Sequence, residues 1–268
     1  MKLASLLASM VVSTWMLTAG PAAVAAEDDE ISPDRPGIAE SSGIVGSGRA
    51  QIELGVQHEA RNDGIRRTRT FLVPALFRFG ASETFELRIE GDTYTREKLS
   101  QPTGPGEHSE GMTPTSIGLK ARLTDAVGGA KAPTAVIARI FPRSGTGEFK
   151  SVHATGDVRW VADWEVAPKW TLNPNIGIGA YEDDDQQRYT TGLLAGTLDY
   201  QASQAVKLFI DSGVQFRERR HGKTGAIVDL GATYLVSRDT QLDVSIGRRV
   251  TGTTFPRRLL SAGVARRF

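Results

Sequence analysis

The chain has no cysteine among its 268 residues. No disulfide can hold it together, and thiolate chemistry, whether zinc-binding or redox, is closed to it. Histidine is nearly as scarce, at four residues: His58, His108, His153 and His221. No two share the i, i+2 or i, i+4 spacing that brings imidazoles onto one metal, so no metal and no cofactor is assigned. A charge of one sign is missing too. Lys and Arg total 32 against 31 Asp and Glu, a balance that points to neither nucleic acid nor an acidic membrane surface. Beyond the first 26 residues there is no apolar run of about 18, which excludes membrane-spanning helices. A mean hydropathy of −0.24 looks soluble. That average is uninformative for a barrel whose strands alternate, because the two faces cancel.

What is present begins with an export signal. MKLASLLASMVVSTWMLTAGPAAVAA carries one positive charge, Lys2, then an apolar run from Leu3 to Leu17, a Gly20-Pro21 break and a small-residue exit. Residues 1–26 therefore read as a cleaved secretory signal, and Glu27-Asp28-Asp29-Glu30 opens the mature chain. The remaining chain, about 240 residues, is long enough for a real fold.

That remainder alternates with period two. In AQIELGVQHE, Ile52, Leu54 and Val56 oppose Gln51, Glu53 and Gln57. In TRTFLVPALFRFG, Phe71, Val73, Ala75, Phe77 and Phe79 share a face. TFELRIEGD sets Phe85, Leu87 and Ile89 against Glu86, Arg88, Glu90 and Asp92, and TSIGLKARL sets Ile117, Leu119 and Leu123 against Lys120 and Arg122. The series continues through TAVIARIF, DVRWVADW, WTLNPNIGIGAY, YTTGLLAGTLDY, QAVKLFIDSGVQF, AIVDLGATYLV, TQLDVSIGRRV and LLSAGVARRF. These are about 12 segments, each near the length a tilted strand needs to cross a bilayer.

Alternate connections are short or glycine-rich: Gly80 to Glu83, Asp125 to Pro133, Glu165 to Lys169, Ala202-Ser203 and Ser237 to Asp239. Most of the others are longer or charged: Thr93 to Pro114, Pro142 to Gly156, Glu182 to Gln187, and Arg217 to Lys223. Short turns at one end and long polar loops at the other describe an all-β fold, a closed antiparallel transmembrane barrel with periplasmic turns and extracellular loops. A soluble sandwich has no reason for that asymmetry. All four histidines fall, on this topology, at strand ends or in connections on the cell exterior.

In such a barrel the apolar faces meet lipid and the charged faces line a lumen. The candidate lumen and permeation residues are Glu53, Glu86, Arg88, Glu90, Lys120, Arg122, Arg159, Asp163, Asp211, Asp229, Asp243 and Arg249, read as mid-strand. They can tune passage of a small-molecule permeant. Because their signs are mixed on neighbouring strands, they can also pair and fill the interior. The balance favours a largely filled lumen with at most a narrow or gated passage. The barrel spans 48–268. The turn-rich segment 27–47 lies either inside as a plug or in the periplasm.

Counting back by twos from Phe268 gives Arg266, Val264, Ala262 and Leu260, with Gly263 and Ser261 on the other face. Ser261, Gly263 and Phe268 resemble the closing-strand signal of bacterial outer-membrane proteins, which implies the barrel-assembly machinery and outer-membrane lipid as partners. Arg266 departs from that pattern, where an apolar residue is usual.

More of the chain fits one family. Asp34-Arg35-Pro36-Gly37, Gly48-Arg49, Pro74, Arg78-Phe79-Gly80, Glu86-Leu87-Arg88, Gly118-Leu119-Lys120, Pro142 with Gly145, Asn175-Ile176-Gly177, and Asp243-Val244-Ser245 with Gly247 follow in its order. The chain resembles the barrel family named for the meta pathway of phenol degradation, described as outer-membrane transporters. The resemblance implies passive passage of small organic compounds, aromatic or apolar ones among them, through the outer membrane of a diderm bacterium.

Two other classes stay open. A lipid-modifying enzyme needs a serine–histidine pair, for which Ser144, Ser151, His153 and His221 are the available residues. A structural or surface-recognition barrel needs only the filled lumen. GTGEFKS, Gly145 to Ser151, lacks the glycine–lysine junction of a phosphate loop and is set aside.

Overall fold

The computed structural model describes residues 30–62, 66–102, 105–124, 132–183 and 185–268. The signal expected over 1–26 lies outside them, as does most of the connection expected from Asp125 to Pro133. In chain order the strands are β1 (Ala50–Asn62), β2 (Arg67–Gly80), β3 (Phe85–Ser100), β4 (Glu107–Gly111), β5 (Ser116–Thr124), β6 (Thr134–Phe141) and β7 (Thr155–Ala162). There follow β8 (Trp164–Ala167), β9 (Trp170–Glu182), β10 (Arg188–Gln201), β11 (Val206–Gln215), β12 (Gly225–Ser237), β13 (Thr240–Thr251) and β14 (Arg258–Arg267).

Each wall strand bonds antiparallel to the next, β9 joins β10, and β14 returns to β1. The sheet closes and leaves no edge. Within hydrocarbon that closure is obligatory, since an unpaired strand edge finds no water to satisfy it. Both β7 and β8 pair with β9 and form one wall strand interrupted at Asp163, while β4 is an arm on the upper part of β3. The wall therefore has 12 strands.

The side-chain distribution is inverted relative to a water-soluble protein. Phe71, Leu87 and Val244, one from each of three strands, are 38%, 54% and 54% exposed. The largest completely buried side chains include Arg78, Arg88, Lys120, Glu53 and Glu86. An apolar outside is stable only against lipid, and ionised groups then collect in the lumen. Aromatic rings stand where the wall meets the membrane surface. Trp170 and Tyr200 lie 4.7 Å apart at the end holding the short turns, here the turn end, and Phe71 and Tyr94 lie 6.4 Å apart toward the opposite, loop end.

Four expectations need correction. The stretch from Thr93 to Pro114 is largely strand: β3 runs to Ser100 and pairs with β4 as a hairpin. Above the bilayer both faces of a strand are wet, so the apolar alternation that marks the wall disappears there. The turn expected over Glu165 to Lys169 tightens to 168–169, because β8 continues the wall and Lys169 takes a positive φ of 69°. His58 is not at a strand end but inside β1, outward-facing between Phe71 and Leu260. Asp163 and Arg249 are not mid-strand. Asp163 occupies the interruption between β7 and β8, and Arg249 stands near the loop end of β13.

Candidate functional site

Residues 30–48 enter the barrel from the turn end, rise into the lumen and return to β1. The entry is fixed where Ile31 N–H donates to Arg238 O at 2.8 Å, and the return where Gly48 N–H donates to Gly80 O at 2.8 Å. Gly80 is a spacing requirement, since a β-carbon there collides with Gly46 O. The sequence gives this strap no regular structure. Its prolines and glycines leave backbone groups that must find partners elsewhere. Lumen side chains supply them.

Glu53 on β1 accepts from Asp34 N–H at 3.0 Å and Arg35 N–H at 2.9 Å. Glu86 on β3 accepts from Val45 N–H at 3.0 Å. Asp163 accepts from Ser42 N–H at 2.9 Å and from the Ser42 hydroxyl. Asp211 on β11 accepts from the amides of Ile38 and Ala39. The Asn175 amide group brackets Glu40, accepting from its N–H at 2.8 Å and donating to its carbonyl at 2.9 Å.

Charge pairs complete the attachment. Asp34 receives Arg88 at 2.6 Å and Lys120 at 3.0 Å, with Arg78 at 3.5 Å. Burial alone pushes the Asp34 carboxyl up, but Arg78, Lys120 and Arg88 outweigh it and hold the group well below the usual carboxylate range. Glu40 meets Arg139 at 3.0 Å. Its burial is likewise overcome, by Arg139, Arg88 and Arg159, and its pKa falls from 4.5 to about 2. Arg35 reaches across to Asp243 at 3.3 Å and to the Ser261 hydroxyl at 3.0 Å.

Of the lumen residues expected from the sequence, Glu53, Glu86, Lys120, Asp163, Asp211 and Asp243 bond the strap directly. Arg88 does so through Asp34, and Glu90 joins by way of Arg139 at 2.9 Å. Asp229 is buried opposite Asp211, with Oδ1 lacking a hydrogen-bond partner. Arg122 lies at the turn end of β5. Arg249 donates to Thr253 O and Phe255 O and so fastens the β13–β14 loop.

Sequence reasoning missed Arg78, Arg139, Asp157 and the strap's own Asp34, Arg35 and Glu40. Arg78 is the hub of the turn end, donating to Glu86, Glu53, Ser32 O and Gly43 O. Its signal was parity: it opposes Phe77 and Phe79. Arg139 stands alone among the apolar residues of β6 and chelates Asp157 at 2.9 and 3.1 Å. The lumen also holds an apolar island, Ala135, Ile137 and Val161, which the charged-inside rule does not anticipate.

At the loop end the β13–β14 connection, 252–257, folds inward as a cap. Glu218 accepts from Thr253 N–H at 2.6 Å and Thr254 N–H at 2.6 Å, and Arg61 donates to Thr254 O. Strap and cap thus occupy the lumen at two levels. The residues considered for acyl chemistry do not assemble. His153 Nδ1 pairs with Glu182 at 3.0 Å, Ser151 Oγ accepts from Ser144 N–H at 3.4 Å, and among the described residues no hydrogen bond joins Ser151 to His153. No group of three His, Cys, Asp or Glu among the described residues is placed to hold a metal ion.

The family described as "Putative MetA-pathway of phenol degradation" matches residues 33–268. No curated protein matches the chain in sequence. Among solved structures it is similar to the COG4313 outer membrane channel from Pseudomonas putida F1, with a TM-score of 0.63 and 12% identity over 92% of this chain and 100% of that one. It is also similar to the translocator domain of the autotransporter NalP from Neisseria meningitidis, with a TM-score of 0.54 and 14% identity over 83% and 89%. The transport unit of the autotransporter AIDA-I from Escherichia coli gives 0.51 and 12% identity over 82% and 89%. At these identities the likenesses establish the fold, an outer-membrane barrel.

Proposed function

The chain belongs to this family of the meta pathway of phenol degradation, and we propose on that footing that it is an outer-membrane channel for passive passage of small apolar or aromatic compounds. The observation that carries the reading is the strap and the cap, both held inside the wall by hydrogen bonds and ion pairs. A barrel with a purely structural role needs no strap bonded by its backbone to Glu53, Glu86, Asp163, Asn175 and Asp211 and no cap latched by Glu218. Closures attached by hydrogen bonds and ion pairs, with no covalent link, are suited to a passage that opens on demand. The COG4313 protein of similar fold is itself described as an outer membrane channel, which supports the same reading.

On this reading the chain is exported by its leader, the assembly machinery takes up the closing strand ending at Phe268, and the turn end faces the periplasm. Lumen charges keep the resting barrel filled, and Glu53, Arg88, Lys120 and Asp211 change from strap anchors to channel lining when the strap withdraws. The function is passage, not catalysis.

The test is uptake in intact cells. In a diderm host lacking its general porins, expression is expected to accelerate uptake of labelled single-ring aromatics and to leave uptake of disaccharides unchanged. Uptake equal to that of the empty host overturns the proposal.

A further inference from the structure

One space inside the barrel differs in character from the charged lumen around it. It lies between the apex of the strap and the cap and is lined by Ile38, Leu193, Ala195, Gly213, Tyr181 and Phe255, with Arg159 at its side; its volume is about 120 Å³. The register explains why it exists. Asn175 pairs with Ala195, and Ala195 with Gly213, while Gly177 pairs with Leu193 one level nearer the loops. Two adjacent strands thus present small inward residues at one height, Ala195 and Gly213, with Gly177 of the third one level nearer the loops, and the wall is hollowed there. Ile38 of the strap packs against Gly213, where a β-carbon would lie 2.7 Å from the Ile38 methyl.

The lining decides what fits. The apolar groups cannot satisfy a cluster of ordered waters, and dry cavities lined this way and of similar size, about 150 Å³, take up single aromatic rings. The polar groups at the margin are already engaged, with one exception. Tyr181 donates to Asp157 at 2.6 Å, the Asn175 amide is used by Glu40, and the Gln215 amide donates to Tyr189 at 2.8 Å. Arg159 is different. Its Nε is buried with no hydrogen-bond partner, and its nearest carboxylates, Asp157 at 3.6 Å and Glu40 at 3.9 Å, are beyond hydrogen-bond reach and are held by Arg139. A buried donor left unpaired is costly, and a ligand acceptor relieves it.

Resting on the channel reading, we infer that this recess is a binding site for a neutral single-ring compound carrying one oxygen acceptor. The ring lies among Ile38, Leu193, Ala195 and Phe255, and the oxygen accepts from Arg159. A carboxylate ligand is disfavoured, because Glu40 and Asp157 already flank the guanidinium and repel a second anion. A ring without oxygen leaves Arg159 Nε without a hydrogen-bond partner.

The experiment is equilibrium dialysis of labelled phenol against the detergent-solubilised full chain, with toluene and benzoate as comparison ligands. Phenol is expected to bind saturably at one site, toluene about tenfold more weakly, the worth of one hydrogen bond from a charged donor. Benzoate is expected not to compete. Arg159→Gln is expected to bring phenol down to the level of toluene while toluene itself is unaffected, and Ala195→Phe to abolish both. Folding of each variant is checked by heat-modifiable migration on gels, and Leu193→Trp serves the same filling test if Ala195→Phe does not fold. Phenol bound no better than toluene, displacement by benzoate, or unchanged binding in a folded filled variant overturns the site. Cell uptake separates the two proposals: uptake without saturable binding defeats the site alone, and binding without uptake defeats the channel alone.

Discussion

Gly55 of β1 and Gly263 of β14 face each other across the seam where the barrel closes, and the Arg35 guanidinium fills the space their missing side chains leave. A β-carbon on Gly263 would lie 2.6 Å from Arg35 Nε and 2.7 Å from Leu54 O. The same strand supplies Ser261, whose hydroxyl accepts from Arg35. Two residues that read as an assembly signal therefore also seat the strap. Gly55→Val is expected to leave the barrel folded but to displace Arg35, so that residues 30–47 become cleavable by added protease in detergent. Wild-type protein is expected to be protected. Equal protection in both would show that the slot does not matter.

Asp34 is surrounded by Arg78, Arg88 and Lys120. Removing its charge leaves buried cations without their anion, at a cost of about 3–5 kcal/mol. Asp34→Asn is thus expected to release the strap, and Lys120→Met to do so less, since the two arginines remain. The double variant is expected to be less impaired than the sum of the two single ones. Strap protection measured over the full cycle checks this, and simple additivity would contradict a shared network.

The strap was the part least legible in the sequence. The wall announced itself because lipid demands a two-residue period, and Leu87 against Arg88 or Val244 against Asp243 shows it directly. Segment 27–47 has no period, so its choice between lumen and periplasm depended on partners scattered over the chain, from Glu53 to Asp243. Arg78 and Arg139 escaped notice for a related reason. Each is one charge in an apolar stretch, and only closure of the barrel turns that face inward. Extension of β3 to Ser100 was hidden because a strand wet on both faces alternates nothing. The recess beside Ala195 is a property of register across three strands, which a linear reading does not contain.

Acid should loosen the strap. Glu40 titrates at about 2 when docked and at 4.5 when free, and Asp34 is likewise depressed by its cations. A depressed carboxylate contributes its stabilisation above the free value and loses it as pH falls through the docked one. Protease protection of residues 30–47 is therefore expected not to decline from neutral pH down to about 4.5 and to fall as pH drops further toward about 2. A decline between pH 7 and 5 would contradict these assignments.

The lipid face makes the opposite demand on charge. Leu87→Arg is expected to destabilise the barrel in phospholipid vesicles by about 2–4 kcal/mol, whereas the apolar change Leu87→Ile is expected to be nearly neutral. Denaturant unfolding followed by tryptophan fluorescence measures both. Tolerance of arginine at Leu87 would mean that this face does not meet hydrocarbon.

The most direct measurement is single-channel conductance in planar bilayers of the mature wild-type chain beside a variant lacking residues 30–47, with Glu218→Ala introduced into each. The wild type is expected to be closed or nearly so, the strap deletion to conduct in steps, and the deletion with the cap released to conduct more. Equal conductance in all four proteins, whether high or absent, would contradict a passage governed by two internal closures.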